Sequence, residues 1–425
     1  MRSALAGVTV SLLLLLSSVA PTLGANSSER LKSGAPEWTN VTPAISPPAM
    51  AGAVMAYSSQ DNRFVLFGGW NGTTLGETWV FDPVGLAWEK LATQGSPPAR
   101  GDGAFAYDPR GDVFVLFGGW YDFPPELYHR LGDTWQFYLS NATWVQISSP
   151  TSPSPRSDSA IAYDTLDRGL VLFGGFDGSN YLGETWRYDT QTGRWTNSSI
   201  PTEPPPRADG RLAYDSRHNR LVLFAGNDFS GPNFTFHHLD DTWVYEWPSN
   251  TWTRLSLDEH PPARDYAVFA FDDEAGEFLL HGGYGERVIL GDLWSFNLAQ
   301  NRWIDIPVVG GPEPRFAAVG GYDSRDHLFV IFSGLGNDGL LADTWFFRYA
   351  GAEGAVAPAS PTGVDFLATG VVGVAIVAGA FIMIRSKRRT RSESADSAGK
   401  ATDTAIDPAN MVRLHDHEKE RGKDR

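Results

Sequence analysis

The seven residues FVLFGGW stand at Phe64–Trp70 and again, unchanged, at Phe114–Trp120. Looser copies follow: LVLFGGF (Leu170–Phe176), LVLFAGN (Leu221–Asn227), EFLLHGGY (Glu277–Tyr284) and FVIFSGL (Phe329–Leu335). The second glycine recurs at Gly69, Gly119, Gly175, Gly226, Gly283 and Gly334, a period of 50 to 57 residues. Self-similarity at that period confines the chain to architectures in which one module stacks on the next.

Each module reads as four short strands, as unit three illustrates: PRSDSAIAYD, RGLVLFGG, LGETWRYD and GRWTNSS. The runs are rich in Val, Phe, Trp and Tyr and are separated by Pro, Gly, Asp and Asn. No helical period interrupts them between Pro36 and Tyr349. The second run is apolar at consecutive positions, as in a strand covered on both faces. One four-stranded sheet cannot cover both of its own faces, whereas six packed radially can, and a closed ring leaves only short edges. The sequence therefore predicts an all-β, six-bladed propeller over residues 36–350.

Twelve of the fifteen tryptophans obey the repeat. Trp79, Trp135, Trp186, Trp243, Trp294 and Trp345 fall in the third strands; Trp88, Trp144, Trp195, Trp252, Trp303 and Trp38 fall in the fourth. Unit six has no fourth strand after LADTWFFRYA (Leu341–Ala350), while PEWTNVT (Pro36–Thr42) reads as a fourth strand lacking its first three. The N-terminal segment is expected to complete unit six and close the ring.

These residues resemble the kelch-repeat β-propellers, a family that includes the central propeller of galactose oxidase. The match runs from Trp38 to about Tyr349 and rests on the double glycine, the third-strand aromatic and the fourth-strand Trp, repeated six times. Ala225 and Ser333 depart from the first glycine, and Met50 stands where the other units carry Arg. The glycines are expected to let a neighbouring aromatic approach the backbone closely. The copper radical site of galactose oxidase depends on a thioether between Cys and Tyr. This chain has no cysteine, so that chemistry is closed to it and no cofactor is expected.

The flanks indicate where such a domain would work. Residues 1–25 carry Arg2, the run LLLLLSSVA and small residues near Gly24–Ala25, which is the pattern of a secretory signal. A linker (351–365) leads to FLATGVVGVAIVAGAFIMI (Phe366–Ile384), an uncharged run long enough for one C-terminal transmembrane helix, at about 1.5 Å per residue across a roughly 30 Å core. RSKRRTR (Arg385–Arg391) then predicts a cytoplasmic tail over 385–425, polar and disordered, with the propeller outside. The sequons at Asn26, Asn40, Asn71, Asn141, Asn197 and Asn233 all precede the apolar run and are candidate glycosylation sites. A net charge of −16 argues against a nucleic-acid partner.

Three sets of residues are candidates for function. The first-to-second turns are short and uniform, whereas the second-to-third loops vary from WNGTT (Trp70–Thr74) to WYDFPPELYHR (Trp120–Arg130) and NDFSGPNFTFHH (Asn227–His238). Variable loops on a rigid scaffold are where binding resides. Trp70, Trp120 and Trp247 lie outside the repeat Trp positions. Trp70, Asn71, Trp120, Tyr121, Asp122, Phe123, Tyr128, Phe234 and Phe236, with Glu126 nearby, form a candidate surface for a glycan, peptide or cell-envelope ligand. Phe176 and Tyr284 share the post-glycine position, so an aromatic there also suits a cap over the blade top.

The second set pairs Arg100, Arg156, Arg207, Arg264 and Arg315, one before the first strand of each of units two to six, with Glu77, Asp133, Glu184, Asp241, Asp292 and Asp343 before the third-strand Trp. Such regularity predicts structural bridges, although a ring of acids and arginines at a central mouth would also hold a ligand. The third is the His237–His238 pair, a weak metal candidate for want of a spaced third ligand, and better read as a solvated loop. An extracellular hydrolase or epimerase, with two loop-face carboxylates as acid and base, is the alternative to a binding module.

Overall fold

The computed structural model describes residues 36–122, 128–229 and 237–349. The signal-like segment, the linker, the apolar run and the tail lie outside these, as do Asn26, Phe123, Glu126, Asn233, Phe234 and Phe236. The described residues form six four-stranded antiparallel sheets and three two-stranded hairpins, with a single turn of 3-10 helix at Leu139–Asn141. Blade one runs Val54–Ser58, Arg63–Phe67, Thr78–Asp82 and Ala87–Lys90. Adjacent first strands meet all round the ring, with Val319–Asp323 of blade six against Val54–Ser58 of blade one. The fold is a six-bladed β-propeller.

Closure follows the sequence pattern. Glu37–Asn40 pairs with Thr344–Arg348 as the outer strand of blade six, Trp38 opposite Phe347 and Asn40 opposite Trp345. The consecutive apolar runs are the second strands: Phe64, Val65, Leu66 and Phe67 have no exposed surface, because neighbouring blades cover both faces.

The fourth-strand Trp is the inter-blade fastener. Its indole N–H donates to a threonine on the third strand of the preceding blade: Trp144 to Thr78 (3.0 Å), Trp195 to Thr134 (2.9 Å), Trp252 to Thr185 (2.9 Å), Trp303 to Thr242 (3.1 Å) and Trp88 to Thr344 (3.1 Å). The indole also lies against the last phenylalanine of that blade's second strand, as Trp144 does on Phe67 at 5.0 Å. At the sixth junction Trp38 meets His281 at 5.0 Å, and Leu293 replaces the threonine.

The double glycine serves a different neighbour from the aromatic expected. A Cβ on Gly68 would lie 2.4 Å from the carbonyl oxygen of Arg100 in the next blade, and one on Gly118 would lie 2.4 Å from that of Arg156. The second glycine then donates its N–H to that same carbonyl, Gly69 to Arg100 and Gly119 to Arg156, both at 2.9 Å. Close approach is between backbones, at a φ of +71° for Gly68. Ala225 and Ser333 hold the same left-handed conformation (67° and 62°) despite their side chains.

Candidate functional site

The second-to-third loops and the segments entering the first strands share one face, joined by paired backbone hydrogen bonds. Trp70 exchanges two with Ala51, Trp120 with Gly101, and Phe176 with Ser157. The variable loops thus crowd round the axial mouth. Two of them begin and end as short hairpins, Trp120–Asp122 with Tyr128–Arg130, and Asn227–Asp228 with His237–His238.

The Arg and acid set forms buried struts. Arg100 reaches Asp133 through two parallel hydrogen bonds (2.7 and 2.8 Å) and also donates to the Gly118 carbonyl. Arg207–Asp241, Arg264–Asp292 and Arg315–Asp343 repeat the fork, while Arg156 meets the longer Glu184 with one prong at 2.7 Å. Each acid also accepts from the indole N–H two residues on, as Asp133 does from Trp135. Burial on its own would raise Asp133, Asp241, Asp292 and Asp343; the guanidinium outweighs it and holds these carboxyls below their ordinary range. All five arginines are at most 2 % exposed, so they join strands within a blade and, through their carbonyls, one blade to the next. In blade one, where Met50 stands in place of Arg, Glu77 pairs instead with Lys90 at the rim.

The aromatic candidates divide. Trp70 is partly exposed, with Asn71 beside it, and the loops of blades one and two are tied by Thr74 donating to Asp122. Tyr121 stacks on His129 at 5.0 Å. Trp120, by contrast, is 8 % exposed and donates its indole N–H to Asp102 at 2.7 Å, which makes it a blade cap as well as a loop residue. Trp247 sits at the third-to-fourth turn of blade four under the Arg187 guanidinium, 4.3 Å from its ring. The His pair also divides: His237 is exposed, but His238 is nearly covered, its Nδ1 3.3 Å from Asp265. His238 is therefore not in a solvated loop, because its ring packs against Tyr284 at 5.6 Å and Asp265. Among the described residues no three His, Cys, Asp or Glu side chains are arranged to hold a metal ion. The sequons Asn40, Asn141 and Asn197 are on exposed surface.

A further cluster lies at the mouth itself. Gly52, Asp102, Asp158, Asp209, Tyr266 and Ala317 occupy one position in the six blades, all with φ between 49° and 62°. Their backbones form a collar: the N–H of Asp102 donates to Gly52, Asp158 to Asp102, Asp209 to Asp158, Ala317 to Tyr266 and Gly52 to Ala317, at 2.8–3.1 Å. Asp102, Asp158 and Asp209, with Arg211, line a cavity of about 40 Å³ above the axial channel. Asn227 donates to Asp209 (2.8 Å) and Asp265 (2.9 Å), adding a fourth carboxylate. Burial, then the charge of Asp158, pushes Asp102 up to about 7, and burial with Asp158 and Asp265 raises Asp209 well above the carboxylate range. These acids were not among the sequence candidates. Their signal was RGDG, RSDS and RADG, an Asp two residues after the Arg in three successive units.

Comparison with known proteins agrees with this architecture. The chain is 29% identical over 154 residues to Kelch domain-containing protein 10 of Xenopus laevis, which covers 35% of this chain and 36% of that protein. It is 27% identical over 158 residues to the Homo sapiens protein of the same name (35% and 34%). It is 24% identical over 165 residues to Mei4-dependent protein 6 of Schizosaccharomyces pombe (36% and 23%). The matched region thus spans about a third or less of each of these relatives. The family model for the KLHDC2/KLHL20/DRC7 Kelch-repeats domain matches residues 25–210, 94–266 and 200–353, overlapping stretches that cover the whole propeller. With six blades, the glycine-bearing second strands and this match, the chain belongs to the Kelch-repeat family, whose propeller is suited to protein interaction.

Proposed function

We propose that this protein is a membrane-anchored propeller, held outside the cell by one C-terminal helix, whose loop face binds a partner polypeptide. The observation that carries the reading is the asymmetry of the two faces. The loop face gathers the two longest loops, the partly exposed Trp70, the Thr74–Asp122 tie and an acidic mouth. The opposite face has turns of near-uniform length. The orientation rests on the apolar run followed by Arg385–Arg391. A glycan or an envelope polymer is the same reading with another ligand, because an exposed Trp stacks on sugars as well.

The test is an array of peptides and glycans probed with the full chain in detergent, beside Trp70→Ala. A ligand retained by the wild type and lost in a Trp70→Ala protein of unchanged melting temperature supports the loop face. Retention by both moves the site elsewhere. Protease added to intact cells should remove the propeller and spare a tag placed after Arg425; digestion of that tag from outside reverses the orientation.

A further inference from the structure

The axial mouth combines features that a structural role leaves unexplained. Three carboxylates, Asp102, Asp158 and Asp209, line the small cavity with one guanidinium, Arg211, whose Nε is already donated to the Ala267 carbonyl. Asp158 is 4 % exposed; its Oδ2 accepts from Ser157, and its Oδ1 has no hydrogen-bond partner among the described residues. Asn227, fully buried beside the cluster, spends both amide hydrogens on Asp209 and Asp265, and its Oδ1, like the Oδ1 of Asp265, has no partner among the described residues. A buried acceptor without a donor costs about 1–3 kcal/mol, more when charged. Asp158, which lines the cavity beside Asp102 and Asp209, brings such an acceptor to its wall and calls for a compact group that supplies donors and a positive charge.

Size and chemistry narrow the choice. A cavity of about 40 Å³ is small, with room for a group of a few heavy atoms. An ammonium carries three N–H donors on a single nitrogen, free to aim at separate acceptors, whereas a guanidinium is a planar fork of four heavy atoms suited to one paired carboxylate. The acids are not placed as a set of metal ligands. Asp102 and Arg211 are partly exposed, so the cavity is in reach of solvent.

We propose that this cavity receives a primary ammonium group of the bound partner, either a lysine side chain or a free N-terminal amine. The proposal rests on the loop-face reading above and names the charge that its ligand presents at the axis.

The experiment uses the full chain in detergent and four probes: Nα-acetyl-lysine methylamide, alanine methylamide, uncharged Nα-acetyl-norleucine methylamide, and calcium chloride. Calorimetry should detect one or both ammonium probes and neither norleucine nor calcium; which ammonium probe binds tells a side chain from a terminus. Asp158→Asn keeps the shape, removes the charge, and should weaken binding about tenfold, the value of one hydrogen bond to a charged group. Arg211→Gln removes the competing cation and should tighten binding, a change of opposite sign that a loss of folding cannot imitate. The proposal is overturned if neither ammonium probe binds, if norleucine binds equally well, if calcium is the better ligand, or if Asp158→Asn and Arg211→Gln shift affinity in the same direction. Trp70→Ala separates this from the parent reading. Ammonium binding with no loss of array ligand in Trp70→Ala removes the loop surface and leaves the axial site, while the reverse pattern removes the axial site alone.

Discussion

Five of the six blade junctions are sealed alike, and the sixth is not. At the five, a fourth-strand indole donates to a threonine of the blade before it and lies on a phenylalanine 4.7–5.2 Å away. At the sixth, the strand comes from the N-terminal end of the domain, its Trp38 faces His281, and Leu293 offers no acceptor. The geometry is kept at 5.0 Å while the chemistry changes. The packing of a large ring between blades is therefore what the junction requires, and the indole hydrogen bond is an addition that one junction does without.

The largest expected effect comes from removing residues 36–42. Blade six would lose its outer strand and blade five the ring that covers His281. Trp38 on its own accounts for roughly 3–5 kcal/mol, as for other buried large aromatics, so the cooperative melt should fall steeply. An unchanged melt would show that the ring closes without this strand.

Next is Arg264→Ala. Breaking a buried ion pair costs about 3–5 kcal/mol, and the lower end is expected because the Asp292 side chain, 29 % exposed, keeps some water. A loss below about 1 kcal/mol in urea titration would rank these struts with surface pairs.

His281→Phe sharpens the comparison by converting the sixth junction toward the other five. Burial, then the nearby Arg315, lowers His281 to about 3. A base whose folded value is depressed stabilises the fold above its unfolded value, near 6.5, and loses that contribution as pH falls toward 3. The wild type should therefore lose stability relative to His281→Phe on acidification, by up to about 1.4 kcal/mol per pH unit. The difference between the two proteins is the quantity to measure, because the raised Asp102 and Asp209 act with opposite sign in the same window. Parallel curves would mean that His281 does not titrate at this junction.

The smallest effect belongs to blade one. Lys90→Ala removes the rim partner of Glu77 and should cost no more than about 1 kcal/mol, since both side chains are well exposed. A loss as large as that of Arg264→Ala would make the rim pair a full substitute for the missing strut.

The repeat made the blades, the closing strand and the Arg–acid pairing legible, because each recurs or is conspicuously missing at one end. What did not read through was contact across the repeat. The carbonyl of Arg100 against Gly68 belongs to two blades at once, and spacing within a unit does not disclose it. The axial acids were hidden for a similar reason: Asp102, Asp158 and Asp209 are about fifty residues apart in the chain and become one cluster only at the axis. Trp120 looked like a surplus loop aromatic because its partner, Asp102, was not yet placed. His238 looked solvated because a two-residue hairpin pairing is too short to leave a periodic signal.

The pairing of Glu37 with Arg348 has a consequence in time. A ribosome makes residues 37–40 first among the blade strands and Thr344–Arg348 last, about three hundred residues later. The earliest strand must wait unpaired through the synthesis of the blades between, and the last-made blade finds its outer strand already waiting. Synthesis of such a domain has to keep one short aromatic segment from adopting a wrong neighbour until its own is born, and contacts this distant in sequence are the slow ones to form.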